Sequence, residues 1–105
     1  MPVVVVATIT PLPEHRDPTR DALRSAVAAV HAEDGCELYA LNETPDRFIM
    51  VERWSSADAL AAHGKGAAVA QLNQALDGLV AGPAEVIVLD PVPAGDPAKG
   101  LVGHG

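Results

Sequence analysis

Two short runs of consecutive apolar residues, near opposite ends of this 105-residue chain, constrain its fold more than any other feature. They are Val3–Ala7 and Val86–Leu89, and a proline follows each run within a few residues. A strand that faces solvent on one side alternates apolar and polar residues, and neither run alternates. We therefore expect two strands that need apolar cover on both faces of their sheet.

The segments between these strands carry helix and hairpin signals. Asp17 is the expected N-cap of a first helix, with Pro18 at its first position and Gly35 as its C-cap. Alternating apolar and turn-forming stretches predict the remaining elements. In chain order, the predictions are strands over 3–10, 36–43 and 47–54 with a turn at 44–47, a helix over 57–63 capped by Ser55 or Ser56, a helix over 67–80 and a strand over 84–90.

The order β-α-β-β-α-α-β predicts an α+β fold, a ferredoxin-like antiparallel sheet with helices on one face. We expect one domain over residues 1–93 and a Pro/Gly-rich C-terminal tail over 94–105. Helices in so short a chain cover only one face of the sheet. The other face would leave an apolar patch that favours a homodimer packed sheet against sheet. A charge within the last strand, as in Val88→Asp, is predicted to break that dimer.

The charge balance excludes several classes of partner. Seven Lys and Arg stand against fourteen Asp and Glu, a net charge of −7, so we expect no nucleic acid and no anionic membrane surface as partners. No apolar run reaches the ~20 residues that span a bilayer, and Val3–Ala7 has no basic segment before it. With a single cysteine, Cys36, the expected compartment is the cytoplasm.

The aromatic residues point to a candidate site. With a two-residue tip between the second and third strands, Tyr39 lies opposite Glu52, and Glu37 lies opposite Trp54. Met50, Glu52 and Trp54 then share one face of the sheet with Tyr39. This pattern predicts an apolar wall with one buried carboxylate.

His63 is the residue most suited to proton transfer. It shares the apolar face of its short helix with Leu60, and a helix that folds back over the sheet would bring it to Trp54, Tyr39 and Glu52. An imidazole can accept or donate a proton near neutral pH, and a neighbouring carboxylate can orient it or act as the base. The flat rings suit a planar ligand.

Structural roles remain open for each of these residues. His63 can be a hydrogen-bonded core or interface residue, Trp54 a core filler, and Glu52 an ion-pair partner. His31 follows Val30 on the first helix, where a solvated flank is an alternative to ligand contact. No Cys-x-x-Cys or His-x-x-x-His spacing occurs, so no metal site is predicted.

Three segments of the chain together resemble the antibiotic biosynthesis monooxygenase (ABM) family, most closely its quinol monooxygenase-like branch. They read EDGCELYAL, FIMVERWSSADALAAH and GPAEVIVLDPV, and the resemblance spans about residues 2–93. It implies a dimeric α+β barrel with a pocket between sheet and helices in each subunit. It also implies oxidation of quinols or aromatic polyketides by molecular oxygen without flavin, haem or metal, the deprotonated substrate supplying the electrons.

The resemblance carries over only in part at the level of residues. Trp54 matches, but the polyketide-oxidising branch has an asparagine and a tyrosine where this chain has Met50 and Leu60. The haem-ligating histidine of the haem-degrading branch falls near Ala70 or Gln71, whereas His63 fits the quinol-type branch. The expected catalytic residues are His63, Glu52 and Tyr39, and the expected substrate-binding residues are Trp54, Met50, Leu60, Phe48 and His31.

Three functions fit this sequence. The leading expectation is a cofactor-independent monooxygenase that acts on a quinol or an electron-rich phenol. The second is a cofactor-free isomerase or decarboxylase of a small hydroxy-ketone, in which the histidine and glutamate move a proton without oxygen. The third is a non-enzymatic dimeric protein that binds a small ligand.

Overall fold

The computed structural model describes residues 1–103 and has one antiparallel sheet with helices on one face. Its strands run in the spatial order β2-β3-β1-β4, which is the ferredoxin-like order, so the predicted α+β fold is confirmed. The elements are β1 (Val3–Ile9), α1 (Arg16–His31), β2 (Cys36–Glu43), β3 (Phe48–Trp54), α2 (Ala57–Gly64), α3 (Ala67–Leu76) and β4 (Glu85–Leu89). A short 3-10 turn, Pro13–His15, precedes α1.

The sheet has one helix-covered face, which contains the core. Val3, Val5, Ala7 and Ile9 of β1 belong to this core, opposite Trp54, Glu52, Met50 and Phe48 of β3. Leu23 and Val30 of α1 pack against them from above. The central strands therefore bring the polar Glu52 into the middle of an apolar layer.

The other face of the sheet, here called the open face, carries the intervening residues and is largely apolar. It is formed by Leu38, Ala40, Asn42, Ile49, Val51, Arg53, Val4, Val6, Thr8, Glu85, Ile87 and Leu89. No helix of the described chain covers it. Part of the C-terminal segment does, since Arg53 Nη1 donates a hydrogen bond to the Val102 carbonyl at 3.0 Å.

Strand β4 is exposed over its whole length, on both faces. Val88 pairs with Val5 and so points to the helix side, where it is 55% exposed, while Ile87 pairs with Val6 on the open face and is 58% exposed. Within a single chain, much of β1 therefore has the expected apolar cover on both faces of the sheet, whereas β4 has it on neither.

Four local expectations were wrong, and two of them concern the ends of α1. Asp17 is not the N-cap and Gly35 is not the C-cap of α1, because the helix begins at Arg16, after His15, and ends at His31 with Ala32 as its C-cap. Asp17 instead lies in the first turn and pairs with Arg20 at 2.9 Å. Helix α3 ends at Leu76 and not near residue 80, because the backbone turns at Gly78, whose φ is +79°. Beyond this turn, Val80 forms a bridge with Pro11.

The fourth error concerns Glu37, which does not lie opposite Trp54. A β-bulge between Cys36 and Leu38 makes Glu37 the extra residue, so Cys36 takes the place opposite Trp54. The bulge turns Glu37 toward Arg53, whose Nε donates to the Glu37 carboxylate at 2.7 Å. Past the bulge, Tyr39 lies opposite Glu52 as predicted.

None of the helices within residues 1–103 is both long and apolar enough to cross a membrane. His104, to which the sequence assigns no role, lies outside the described residues.

Candidate functional site

The candidate site lies at one end of the sheet, where β3 ends and α2 folds back over the core. His63 on α2 contacts the aromatic rings of Trp54 and Tyr39 and the carboxylate of Glu33. Glu52 completes the group through a hydrogen bond to Trp54. The structure therefore brings together the four residues on which the sequence prediction depended, and it adds Glu33.

Two local features hold α2 over the sheet. Ser56 caps the helix, its Oγ accepting a hydrogen bond from the Ala59 backbone N–H at 3.1 Å. Gly35, with φ of +82°, lets the turn after α1 approach the start of α2 closely, and the Gly35 carbonyl accepts from the Ser55 N–H at 2.8 Å. These contacts fix the helix that carries His63.

His63 is bound through one ring nitrogen to a carboxylate. Its Nδ1 lies 2.6 Å from Glu33 Oε1, and since an ionised carboxylate only accepts hydrogen bonds, Nδ1–H is the donor. Among the described residues, none hydrogen-bonds the second nitrogen, Nε2. A neutral imidazole in this arrangement has its lone pair on Nε2, where it can accept a proton from a ligand.

The Trp54 indole contacts both titratable groups at the centre of the site. Its ring stacks on His63 with centroids 4.4 Å apart and an interplanar angle of 30°. Its Nε1–H donates to Glu52 Oε1 at 2.9 Å. Burial raises the pKa of Glu52 above its ordinary value, while the indole hydrogen bond and the proximity of His63 act in the opposite direction.

Tyr39 presents its ring edge to His63, with centroids 5.7 Å apart. Burial raises the pKa of its phenol, and the nearby carboxylates of Glu52 and Glu33 raise it further. The phenol therefore keeps its proton throughout the neutral range and remains a hydrogen-bond donor.

The other predicted ligand-contacting residues fall into two groups. Met50 is buried beside Glu52 on the same face, and Leu60 packs at the margin of the core from α2. Phe48 lies at the opposite end of β3, about 20 Å from Trp54 along the strand, where the guanidinium groups of Arg16 and Arg20 cover its ring. Phe48 is therefore not part of this cluster.

His31 also lies apart from the cluster. It is exposed at the end of α1, and its Nε2 lies 3.0 Å from the Tyr39 carbonyl. It helps to line a cleft of about 370 Å³ along the outer edge of β2, together with Cys36, Tyr39 and Ala40. Its position fits the solvated helix flank that the sequence left open.

Sequence reasoning missed Glu33. Only the chain topology could have indicated Glu33. The turn after α1 leads into β2, and the start of β2 pairs with the end of β3, next to which α2 begins. An acidic residue in the turn over 32–35 is therefore adjacent to Trp54 and α2. The turn fixes the Glu33 backbone, whose N–H donates to the Val30 carbonyl at 3.0 Å.

The cluster is tightly packed in the single chain. Trp54 and Met50 have almost no exposed surface, Glu52 is buried, and His63 is 8% exposed. Within residues 1–103, no group of three or more His, Cys, Asp or Glu side chains is arranged to hold a metal ion. The site thus combines an imidazole, whose Nε2 has no hydrogen-bond partner among residues 1–103, with a stacked indole, a phenol and a buried carboxyl group.

Comparison with known proteins gives a consistent result. Residues 2–75 match the family described as Antibiotic biosynthesis monooxygenase. The chain is 32% identical over 93 residues to a protein of Mycobacterium tuberculosis named Putative monooxygenase Rv0793, a match that covers 87% of this chain and 92% of that protein.

Solved structures agree with the sequence match. The structure of Rv0793 superposes with a TM-score of 0.83 at 30% identity, covering 91% of this chain and all of that one. A protein of Deinococcus radiodurans, described as a putative antibiotic biosynthesis monooxygenase, gives a TM-score of 0.80 at 28% identity and covers 90% of this chain and 96% of that one.

Proposed function

This chain belongs to the antibiotic biosynthesis monooxygenase family, and from that premise we propose that it oxidises a quinol or an electron-rich phenol with molecular oxygen. The reaction needs no bound cofactor, because the deprotonated substrate donates the electrons itself. The single observation that carries the proposal is the state of His63. Its Nδ1 is held by a carboxylate, its ring is stacked on Trp54, and its Nε2 has no partner among the described residues.

In the proposed reaction His63 removes the proton of a phenolic O–H through Nε2. The resulting phenolate is far easier to oxidise than the phenol and passes electrons to oxygen. For a quinol with a free ring position, one oxygen atom replaces a ring hydrogen and the other leaves as water. The product is a hydroxyquinone, and the four electrons that dioxygen accepts all come from the quinol, so no external reductant is needed.

Tyr39 and Glu52 would stabilise the substrate anion. Tyr39 keeps its proton because burial and two nearby carboxylates raise the pKa of its phenol. The raised pKa of Glu52 favours its protonated form, which can also donate a hydrogen bond. Trp54, Met50 and Leu60 would form the apolar wall for a planar ring.

We propose that the active form is a homodimer that packs open face against open face. The open face is largely apolar and no helix of the described chain covers it, a situation that soluble monomers avoid. The side of strand β4 that belongs to the open face, which is exposed in the single chain, would be covered in the same assembly. The single cysteine, Cys36, suits a reducing compartment, and the proposal includes the cytoplasm as the place of action.

The test is oxygen uptake by the metal-free protein with a panel of naphthohydroquinones and anthrones. We expect uptake well above the autoxidation blank, and a loss of at least about 100-fold in His63→Ala and His63→Gln, because general-base catalysis is typically worth that much. The Gln variant preserves most of the packing volume at a buried position. His15→Ala, which removes a histidine far from the cluster, should retain full activity.

A proton-transfer function without oxygen is the second candidate, and the Glu33–His63 contact favours it as well. Such a pair can isomerise or decarboxylate a hydroxy-ketone by moving a proton. Turnover of hydroxy-ketones under nitrogen that is lost in His63→Gln, together with no uptake above the blank, would replace the oxygenase by this function. Ligand binding without turnover in either assay would indicate the non-enzymatic reading.

A further inference from the structure

We propose that Glu33 is a positioning residue that fixes the proton of His63 on Nδ1, so that Nε2 is the atom that accepts the substrate's proton. The inference rests on the proposed role of His63 as the base. The Glu33 Oε1 to His63 Nδ1 distance of 2.6 Å is short, as expected for a charge-assisted hydrogen bond. Both side chains are largely shielded from solvent, which strengthens the contact.

The backbone around Glu33 is built for this contact. Its N–H donates to the Val30 carbonyl at 3.0 Å, and its own carbonyl accepts from Cys36 N–H at 3.2 Å. The turn that carries Glu33 is thus hydrogen-bonded at both ends, to α1 and to β2. The carboxylate needs no large backbone movement to reach α2, and its place beside His63 follows from the fold.

Gly66 supplies independent support, because it leaves room for the same carboxylate. A Cβ at residue 66 would lie 2.9 Å from Glu33 Oε2, closer than such contacts normally occur. Gly66 precedes α3 with φ of −82°, a value open to any residue, so backbone conformation does not demand glycine there. The shortest contact that a Cβ would make there is the one with the Glu33 carboxylate, and the next is with the His63 carbonyl at 3.3 Å.

The consequence is a defined direction of proton flow. With Nδ1–H donated to Glu33, the neutral ring can accept only at Nε2, and the imidazolium formed on proton transfer is stabilised by the adjacent carboxylate. The position of Glu33 therefore selects both the tautomer and the reactive atom. Glu33 itself need not touch the substrate.

The test reads the tautomer directly, by long-range ¹H–¹⁵N correlation spectra of the imidazoles in the full-length protein at about pH 9, where a free imidazole is neutral. The His63 signals are assigned by their absence in His63→Gln. We expect the Nδ1–H form in the wild type and in Glu33→Gln, whose amide oxygen still accepts a hydrogen bond. Glu33→Ala should lose that preference, while Asp34→Ala, which removes a neighbouring exposed carboxylate, should keep it.

A second variant displaces the carboxylate without removing it. In Gly66→Ala the new methyl group pushes against Glu33 Oε2, the mobile end of a flexible side chain, so the chain should fold and the tautomer preference should weaken. In activity assays we expect kcat to fall about 10- to 100-fold in Glu33→Ala with little change in KM, the size of effect known for groups that orient metal-bound histidines. Glu33→Gln should recover only part of that loss, because its amide oxygen keeps the hydrogen bond but cannot stabilise the imidazolium by charge.

The outcomes separate this inference from the proposed function. An Nε2–H tautomer in the wild type, or an unchanged tautomer in Glu33→Ala, overturns the positioning role even if the protein consumes oxygen. The expected tautomers in a protein without oxygenase activity would leave the positioning role standing and reject the oxygenase.

Discussion

At the scale of single residues, Glu52 combines burial with a single strong hydrogen bond. Its carboxylate accepts from the Trp54 indole at 2.9 Å within an apolar layer, and no basic side chain of the described residues forms an ion pair with it. Desolvation outweighs the hydrogen bond, which is why the pKa of Glu52 lies above its ordinary value. The structure thus holds a carboxyl group whose ionisation works against folding.

This arrangement predicts a pH-dependent difference between the wild type and Glu52→Gln. Because the pKa of Glu52 is raised in the folded state, the folded protein binds more protons than the unfolded protein at pH values above 4.5, the ordinary pKa of a glutamate. The contribution of Glu52 to stability therefore falls as the pH rises from 4.5 through the folded-state pKa. Glutamine cannot ionise and its oxygen can still accept from Trp54. We expect Glu52→Gln to gain stability relative to the wild type as the pH rises from the ordinary pKa of 4.5 toward neutrality.

Urea unfolding of both proteins across that range measures the difference, and other titrating groups cancel in it. A constant difference from acid to neutral pH would contradict the raised pKa. Asp34→Asn, which replaces an exposed carboxyl group by an amide in the same way, serves as the matched control.

At the scale of elements, the contact between the turn after α1 and the start of α2 sets the position of the site. A Cβ on Gly35 would meet the Ala59 Cβ at 2.5 Å and the Ser55 Oγ at 2.7 Å, and its φ of +82° disfavours other residues. This close approach presses α2 against the sheet and brings His63 to Glu33. One glycine therefore determines where a helix docks.

Gly35→Ala should lower the free energy of unfolding by about 1–3 kcal/mol, from the strained backbone, with further loss from the clash with α2. Thermal or urea unfolding measures it. The matched control is Gly64→Ala on α2, where nothing lies within 4 Å of a Cβ, and alanine should there stabilise the helix by about 0.5–1 kcal/mol. Equal effects at the two glycines would refute the docking role.

The elements also show why part of the site could be predicted and part could not. The hairpin register that places Tyr39 opposite Glu52 follows from a short turn and a period of two, both visible in the sequence. The bulge at Glu37 is not visible, because a bulge adds one residue without a required composition. Glu33 was missed for another reason, since its partner lies 30 residues away and the contact depends on how α2 docks.

At the scale of the whole molecule, the sheet exposes much apolar surface, and the register of β4 decides which residues face which way. Ile87 lies on the open face, whereas Val88 lies on the helix side, although both are more than half exposed. The consecutive apolar residues of β4 correctly indicated missing cover on a single chain, whereas most of β1 is buried. Which of these residues lie on which face cannot be predicted without their pairing partners in β1, and those partners place Val88 away from the proposed interface.

We predict that Ile87→Asp converts the proposed dimer to a folded monomer, because a charge would be buried without a partner in the open-face interface. Val88→Asp, of similar exposure on the other side of the sheet, should leave the dimer intact. Light scattering after size-exclusion chromatography measures both, and circular dichroism checks the fold. A wild-type protein that is monomeric at micromolar concentration, or an Ile87→Asp variant that remains dimeric, would rule out this interface.

Strand β4 also bears on how the protein avoids self-aggregation. Its Val-Ile-Val-Leu run is an exposed edge strand with a free row of backbone hydrogen-bonding groups, the kind of segment that can template cross-β stacking. Glu85 and Asp90 flank the run directly, and both are exposed. In a cross-β stack of copies these carboxylates would lie above one another and repel. Glu85 and Asp90 therefore disfavour aggregation through β4 in chains that have not yet assembled.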